Sequence, residues 1–571
     1  VTSAESRVRL AWYGCAALLA VFSYFYALDG LHIPKNGDEF VYEHITRLTG
    51  QSGRLLPLES RLEGMRNTKP PMLVWQGIAS TGGAREWTLR RLRIPSVAYS
   101  LLTAFLVFLL ARKLSGTLET GLVGALCYLA FFSTYRYGRP FLTNPPEAFW
   151  LFLPFFALLY WRPAAFESRL APLLFGAAVG IGTLYKSFAL VAPVVLGFAW
   201  WYLHHRRYRA GDFLMRDAWK VCAAALVALG VFALWFALDP DPRAIWNEFV
   251  LYENMGKIGA RGGSYLGNLL WGESSIWSLA LDYPLNAGLL VFPVALLFLV
   301  AFRRRRETDD AEKLLWIWVL SLFLVFSLPS QRSGRYLLSA MPAIAALAAL
   351  NWQRIPRWAF VASLAATGAL LALMAWLSLR LQLEMAAAQP YPAWHWILLA
   401  GTGALLAVAI FVPRFTRPVL CSAVFLAFVS FAAFLRPLDG ELGSYPPEAR
   451  RLAEGKIVGV PCKFRADFEQ YRFVLPGADV QGYRESRNFS VAELGARFPL
   501  FVAQTAIAEG SCAGCRILGT RLNLQGRLSA EENREMLRGR VFDHLFVKEV
   551  LIASPGVAAG AAPIPPRESC R

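Results

Sequence analysis

A polytopic α-helical membrane protein with a C-terminal α/β domain is the fold class this sequence predicts, on three observations. Hydrophobic residues make up 56% of the 571-residue chain and charged residues only 17%, a balance that a water-surrounded domain of this size could not carry without large exposed apolar patches. Its apolar residues gather in about thirteen runs long enough to cross a bilayer. Between those runs Lys and Arg fall in short clusters on alternate connections, so the formal charge of +18 reads as membrane topology rather than nucleic-acid binding.

In chain order the runs lie at 10–28, 94–111, 119–134, 145–161, 170–185, 187–203, 220–238, 284–302, 314–329, 337–351, 358–378, 394–412 and 418–435. The first, Leu10 to Leu28, follows Arg7 and Arg9, lacks a small-x-small exit and reads as a retained helix. With the N-terminus in the cytoplasm, every inner connection is basic, among them Arg112-Lys113, the His204 to Arg209 cluster, Arg303 to Arg306 and Arg414 with Arg417. This alternation places the outer loops 29–93 and 239–283, and residues 436–571, on the non-cytoplasmic side. Residues 1–435 then form the membrane domain.

Within loop 29–93, Phe40 to Leu48 is amphipathic and is expected to lie flat on the outer leaflet. In the tail, Pro446 to Glu454 and Ala530 to Leu537 read as helical, while Lys456 to Val460, Leu500 to Ala503 and Phe542 to Ala553 read as strands. Val557 to Pro566, rich in Ala and Pro, reads as a loose end. Of the eight cysteines, Cys15, Cys127, Cys222 and Cys421 sit in or beside apolar runs. Cys462, Cys512, Cys515 and Cys570 lie in the tail, where disulfides are favoured over a redox motif or half a zinc site, with the pairing open.

The unusual polar residues converge on the outer side. Asp38 and Glu39 follow the first run, at a depth where a carboxylate either does chemistry or caps a helix. Lys69-Pro70-Pro71 holds an ammonium group at headgroup height. Arg136, Arg139, Asn144 and Glu147 occupy the junction between the third and fourth runs, Lys186 interrupts two runs, and Lys257, Arg261, Arg332, Arg335 and Tyr336 oppose the positive-inside trend. Each alone reads as an interface anchor. As a set of cations beside two carboxylates they suit transfer of a group from a lipid phosphate, in which cations stabilise the departing phosphate.

Gly37-Asp38-Glu39, Lys69-Pro70-Pro71, Arg139-x4-Asn144, Leu184-Tyr185-Lys186, Tyr252-Glu253-Asn254 and Arg335-Tyr336-Leu337-Leu338 with Pro342 occur in this order along most of the membrane half. In these motifs the chain resembles the polyprenyl-phosphate-dependent GT-C glycosyltransferases, in particular the bacterial aminoarabinose transferases acting on lipid A and the protein O-mannosyltransferases. The resemblance implies Asp38 as the catalytic carboxylate, with Glu39 beside it, and Lys69 as holder of the donor phosphate, helped by Arg139, Lys186 and Arg335. Tyr336, Asn144, Glu147 and Lys257 are expected to line the substrate cavity.

The chain departs from the aminoarabinose enzymes at Val41, where they carry Arg, at Thr68, where they carry Glu, and at Asn144, where Asp is usual. Thr68 removes a metal ligand, His32 and His44 are isolated, and no obligatory metal or other cofactor is expected. The implied activity is inverting transfer of a sugar from undecaprenyl phosphate to lipid A, its phosphate above all, at the periplasmic face of the bacterial inner membrane. The expected partners are that lipid-linked donor, an envelope acceptor and membrane lipids, with no nucleic acid. A protein or polysaccharide acceptor is the alternative for the same fold and donor. A transporter would place its charges at the membrane midplane between inverted repeats, and neither is legible here.

Overall fold

The computed structural model describes residues 3–34, 36–62, 64–161, 167–257, 264–385, 387–462, 465–484, 491–504, 514–525, 530–538 and 544–555. Arg261, Cys512, Cys570 and the Val557 to Pro566 segment lie outside the described residues.

Each of the thirteen apolar runs holds a helix, but the helices are unequal. Among the described residues seven are long and apolar enough to cross a membrane unaided, or nine if each of two bent pairs is one span. The structure thus supports a multi-pass membrane protein with fewer regular spans than the thirteen expected. Local chemistry explains the difference. The third run is split at Phe131 into α5 (Leu118–Ala130) and α6 (Phe132–Gly138), which meet at 61°. The eighth breaks at Gly288, whose φ of +60° ends one helix and starts the next at 100°. The fifth and tenth make only short helices, Ala171–Thr183 and Met341–Leu350.

Regular spans have ordinary causes. In α4 (Leu89–Ser115), the Thr88 hydroxyl accepts the Arg91 N–H at the start, and Gly116 at φ +73° ends the helix just after Arg112 and Lys113. α7 (Asn144–Tyr160) starts with Pro145 and Pro146, where missing N–H groups cost nothing.

α1 (Ser3–Phe25) leads into α2 (Gly37–Gln51), the amphipathic stretch of the first loop. The expectation that it lies on the lipid surface is corrected. Phe40, Val41, Tyr42, His44 and Ile45 are all buried, because α2 is sandwiched between the membrane helices and the C-terminal domain. Its cap is Asn36, whose Oδ1 accepts the Asp38 N–H at 3.1 Å, so Asp38 is a first-turn residue rather than the cap itself.

After the helix Thr416–Asp439 the chain builds a five-stranded sheet of β1 (Ile457–Cys462), β2 (Asp479–Arg484), β3 (Leu500–Gln504), β4 (Arg516–Leu524) and β5 (Phe546–Ala553). The order is β2-β1-β3-β5-β4; β1 runs parallel to β2 and β3, and β5 antiparallel to β3 and β4. The central strands β1, β3 and β5 have near-continuous buried faces, as their apolar runs require, while β2 and β4 form the edges. Cys462 and Cys515 are each disulfide-bonded.

The sheet domain shares a core with the first loop: Phe40, Val41 and Ile45 of α2 cluster with Val458, Val460 and Leu551. A buried polar joint fixes the register. Glu469 Oε1 accepts from His44 Nδ1 at 2.6 Å and Arg47 Nη2 at 2.9 Å, and its Oε2 accepts from Arg472 Nε at 2.8 Å. The Arg61 N–H donates to His44 Nε2 at 3.0 Å, which leaves the ring proton on Nδ1, facing Glu469. Burial works to raise the Glu469 pKa, but His44, Arg47 and Arg472 together hold it far below the ordinary carboxylate range. A second joint runs from Asp439 through His32 to Asn523 and on to Glu549, tying both ends of the membrane half to β4 and β5.

Candidate active site

Five stretches of chain, joined by Thr143 and by Arg465 of the C-terminal domain, meet around a cavity of about 590 Å³, within the range that holds small ligands. Asp38 comes from the first turn of α2. Lys69 precedes α3 (Met72–Ser80), and Lys186 follows Ala171–Thr183, where the chain turns into the next helix. Arg335 and Tyr336 lie in the one-sided 3-10 turn Gly334–Ala340, started by Ser333, whose hydroxyl accepts the Arg335 N–H. The fifth stretch is Trp246–Asn254, which contributes Glu253 and Asn254. Phe188, Leu190, Val250 and Phe326 form apolar wall.

Asp38 Oδ2 accepts a hydrogen bond from Arg335 Nη1. Arg335 Nε donates to Asn144 Oδ1 at 3.0 Å, and its guanidinium lies 5.0 Å from the Tyr137 ring centre. The other Asp38 oxygen faces Arg465 of the C-terminal domain at 3.8 Å. Burial tends to raise the Asp38 pKa; the charges of Arg335, Arg465 and Lys69 outweigh it, and the carboxyl stays below its ordinary value.

Each lysine meets a carboxylate. Lys69 Nζ donates to Glu253 Oε1 at 2.5 Å. Lys186 Nζ donates to Glu147 Oε2 at 2.7 Å and sits 5.5 Å from the Tyr336 ring centre, while Ser339 Oγ donates to the other Glu147 oxygen at 3.1 Å. Among the described lining residues four cations, Lys69, Lys186, Arg335 and Arg465, stand against two carboxylates, Asp38 and Glu253. The cavity therefore favours an anion.

Two expected site residues are placed elsewhere. Glu39, one residue from Asp38, points about 100° around α2 and is fully buried. Its two oxygens accept from Arg93 Nε and Nη2, both at 2.7 Å, and Oε1 also accepts the Phe141 N–H at 2.7 Å. With its lone pairs so engaged, Glu39 joins α2 to α4 and is not among the described residues that line the cavity. Arg139 is likewise sealed: it donates to the Tyr24 carbonyl at 3.2 Å, the Tyr26 carbonyl at 2.6 Å and the Tyr135 hydroxyl. It satisfies carbonyls at the end of α1, which need donors there, and is not placed to meet a donor phosphate. Asn144 and Glu147 touch the site through Arg335 and Lys186. Lys257 ends the turn Met255–Lys257, two residues beyond Met255, which lines the cavity.

Three residues were not singled out from the sequence: Arg93, Glu253 as the partner of Lys69, and Arg465. Arg93 sits at the edge of an apolar run, where an arginine reads as a boundary marker, although an arginine so close to a span also signals a buried carboxylate partner. Among the described residues no group of three or more His, Cys, Asp or Glu side chains is arranged to hold a metal ion.

Residues 36–247 match the dolichyl-phosphate-mannose-protein mannosyltransferase family. An undecaprenyl phosphate-alpha-4-amino-4-deoxy-L-arabinose arabinosyl transferase of Sodalis glossinidius is 27% identical over 472 residues, 78% of this chain and 76% of that protein. The transferase of the same name from Pseudomonas aeruginosa is 28% identical over 438 residues, 73% of this chain and 75% of its own. The crystal structure of ArnT from Cupriavidus metallidurans bound to undecaprenyl phosphate superposes with a TM-score of 0.61 at 16% identity, covering 97% of this chain and 99% of that one. The chain resembles the GT-C glycosyltransferases, the aminoarabinose transferases among them. The fold likeness extends through the C-terminal sheet as well as the membrane half, since nearly the whole of both chains superposes.

Proposed function

We propose that the protein is an inverting glycosyltransferase that moves a sugar from undecaprenyl phosphate to a phosphate of lipid A at the periplasmic face of the inner membrane. The observation that carries this reading is the state of Asp38. A carboxylate held below its ordinary pKa by two arginines is ionised at neutral pH and is a weak base, poorly suited to deprotonating a hydroxyl. A phosphate acceptor needs no deprotonation, so Asp38 is left to orient the acceptor and the sugar.

In the proposed reaction a phosphate oxygen of the acceptor attacks the anomeric carbon from the face opposite the leaving group. The bond between that carbon and the donor phosphate oxygen breaks, and its electron pair leaves with undecaprenyl phosphate. Lys69 and Lys186, which both line the cavity, offset the charge on the departing phosphate. Their carboxylate partners Glu253 and Glu147 hold both ammonium groups in place before substrate arrives. A cavity of about 590 Å³ takes the sugar and phosphates, while the lipid chains trail along the apolar wall and outside it.

The departures at Val41, Thr68 and Asn144 leave the sugar open among aminoarabinose, a hexosamine and others. A second reading keeps the donor and glycosylates a protein, and the mannosyltransferase match over residues 36–247 favours it. Mass spectrometry of lipid A from cells with and without the protein tests the first reading. A lipid A species that gains one sugar only when the protein is present, and is lost in Asp38→Asn and Lys69→Ala, is the expected result. Unchanged lipid A with altered glycoprotein moves the assignment to the second.

A further inference from the structure

Arg465 is the one described cation of the cavity that does not come from the membrane half. It follows β1 in the C-terminal domain, and its backbone has φ +48°, a left-handed conformation that a non-glycine residue adopts only when its surroundings impose it. Those surroundings are visible. Cys462, three residues earlier, is disulfide-bonded, and Glu469, four residues later, is locked to His44 and Arg47 of α2. Set between these two fixed residues in the sequence, Arg465 brings its guanidinium to the oxygen of Asp38 that Arg335 does not use.

The contact is loose where the Arg335 contact is tight: 3.8 Å, with 42% of the Arg465 side chain exposed. An arginine that shares a carboxylate at that distance, in a cavity with more cations than carboxylates, is placed to exchange it for an incoming anion. Lys186 lies two residues from Phe188, and Lys69 is paired with Glu253, three residues from Val250, which assigns these lysines to the lipid-linked donor. Asp38 lies between Arg335 of the membrane half and Arg465 of the sheet domain, so an anion held by Arg465 meets Asp38 from the sheet-domain side.

We infer that Arg465 is a substrate-binding residue for the acceptor: its guanidinium takes the acceptor's attacking phosphate and in doing so uncovers Asp38. This rests on the reading of the site given above and adds to it a separate acceptor subsite built by the C-terminal domain. Donor and acceptor phosphates then have different cations, Lys69 with Lys186 for one and Arg465 for the other.

The test uses the full-length protein in lipid nanodiscs, with an undecaprenyl-phosphate-linked sugar as donor and phosphorylated lipid A as acceptor. Arg465→Gly is the informative variant, because glycine suits a φ of +48° and the loop loses strain along with the side chain. Expected are an acceptor KM raised at least tenfold, a donor KM within twofold of wild type, and recovery of rate when guanidinium ion is added at millimolar concentration. Arg465→Lys, which keeps the charge but loses the fork, falls between. Transfer by the wild type with an acceptor KM in Arg465→Gly within twofold overturns this assignment and leaves the proposed function standing. So does a donor KM that rises in step with the acceptor KM. No transfer to phosphorylated lipid A by the wild type overturns the proposed function and the acceptor subsite together.

Discussion

Asp38 and Arg335, 297 residues apart in the chain, are joined by a hydrogen bond from the Arg335 guanidinium to the carboxylate at the start of α2. That bond fixes the carboxylate's direction, so its loss affects turnover before it affects folding. Asp38→Asn keeps the shape and removes the charge; turnover is expected to fall by about 10²–10³-fold, while affinity for undecaprenyl phosphate, measured by tryptophan fluorescence titration, stays within about threefold. A parallel loss of binding would place Asp38 in the donor subsite.

The Glu39–Arg93 pair predicts the opposite pattern. Both side chains are fully buried, and removing one partner strands the other, at a cost of about 3–5 kcal/mol. Glu39→Gln and Arg93→Met are each expected to lower the thermal midpoint in detergent by several degrees and to cut yield, with both KM values unchanged in the protein that survives. Glu39→Met combined with Arg93→Met should recover much of the stability. A stable Glu39→Gln protein without turnover would return Glu39 to the chemistry.

Glu43 carries the pH dependence. It is fully buried on α2, and neither carboxyl oxygen has a hydrogen-bond partner among the described residues. Burial first, then the neighbouring Glu39 and Glu469 charges, raise its pKa well above the ordinary value. A raised carboxyl contributes stability that is complete below the unfolded pKa of about 4.3 and is lost as pH rises toward the folded value. Glu469, held low, contributes in the other direction: its stability is present above about pH 4.3 and is lost on acidification below it. Unfolding free energy, followed by denaturant titration from pH 5.5 to 8.5, should therefore fall with pH by up to about 1.4 kcal/mol per unit. Glu43→Gln should flatten that slope, and an unchanged slope would show that another group sets it.

Gly334 sets where Arg335 stands. A Cβ there would lie 2.5 Å from Asp282 Cγ, and the Asn286 amide already donates to the Gly334 carbonyl at 3.0 Å, so the turn has no room to shift. Gly334→Ala is expected to reduce turnover about tenfold with little change in yield. The second change Asp282→Ala, which clears the space, should restore most of it. Failure of that rescue would mean that the glycine matters for a reason other than the space Asp282 occupies.

Much of this site was legible before the structure because its chemistry is costly where it sits. Asp38, Lys69, Lys186 and Arg335 are charged residues at the ends of apolar runs, and such residues stand out in a chain with only 17% charge. The same reasoning gathered Glu39 and Arg139, which the fold uses to satisfy buried partners, because burial is invisible in a list of polar residues near a membrane. Adjacent residues on a helix face different ways, and that alone separated Asp38 from Glu39. Arg465 was not legible: no periodicity marks it, and its approach to Asp38 depends on how the sheet domain docks through Glu469. The α/β tail was readable in its buried strands β1, β3 and β5, whereas the edge strands β2 and β4 alternate too weakly to announce themselves.

The joint between His44 and Glu469 ties the second helix to a domain made more than four hundred residues later. During synthesis, α2 leaves the ribosome long before its partner exists, carrying His44 and the apolar residues Phe40, Val41 and Ile45, whose cover in the sheet domain is made last. A nascent chain of this protein thus gains the partner of His44, and the arginine that faces Asp38 from the sheet side, only when the C-terminal domain has been made. A chain cut short after the membrane helices would leave the apolar face of α2 without the core it shares with the sheet.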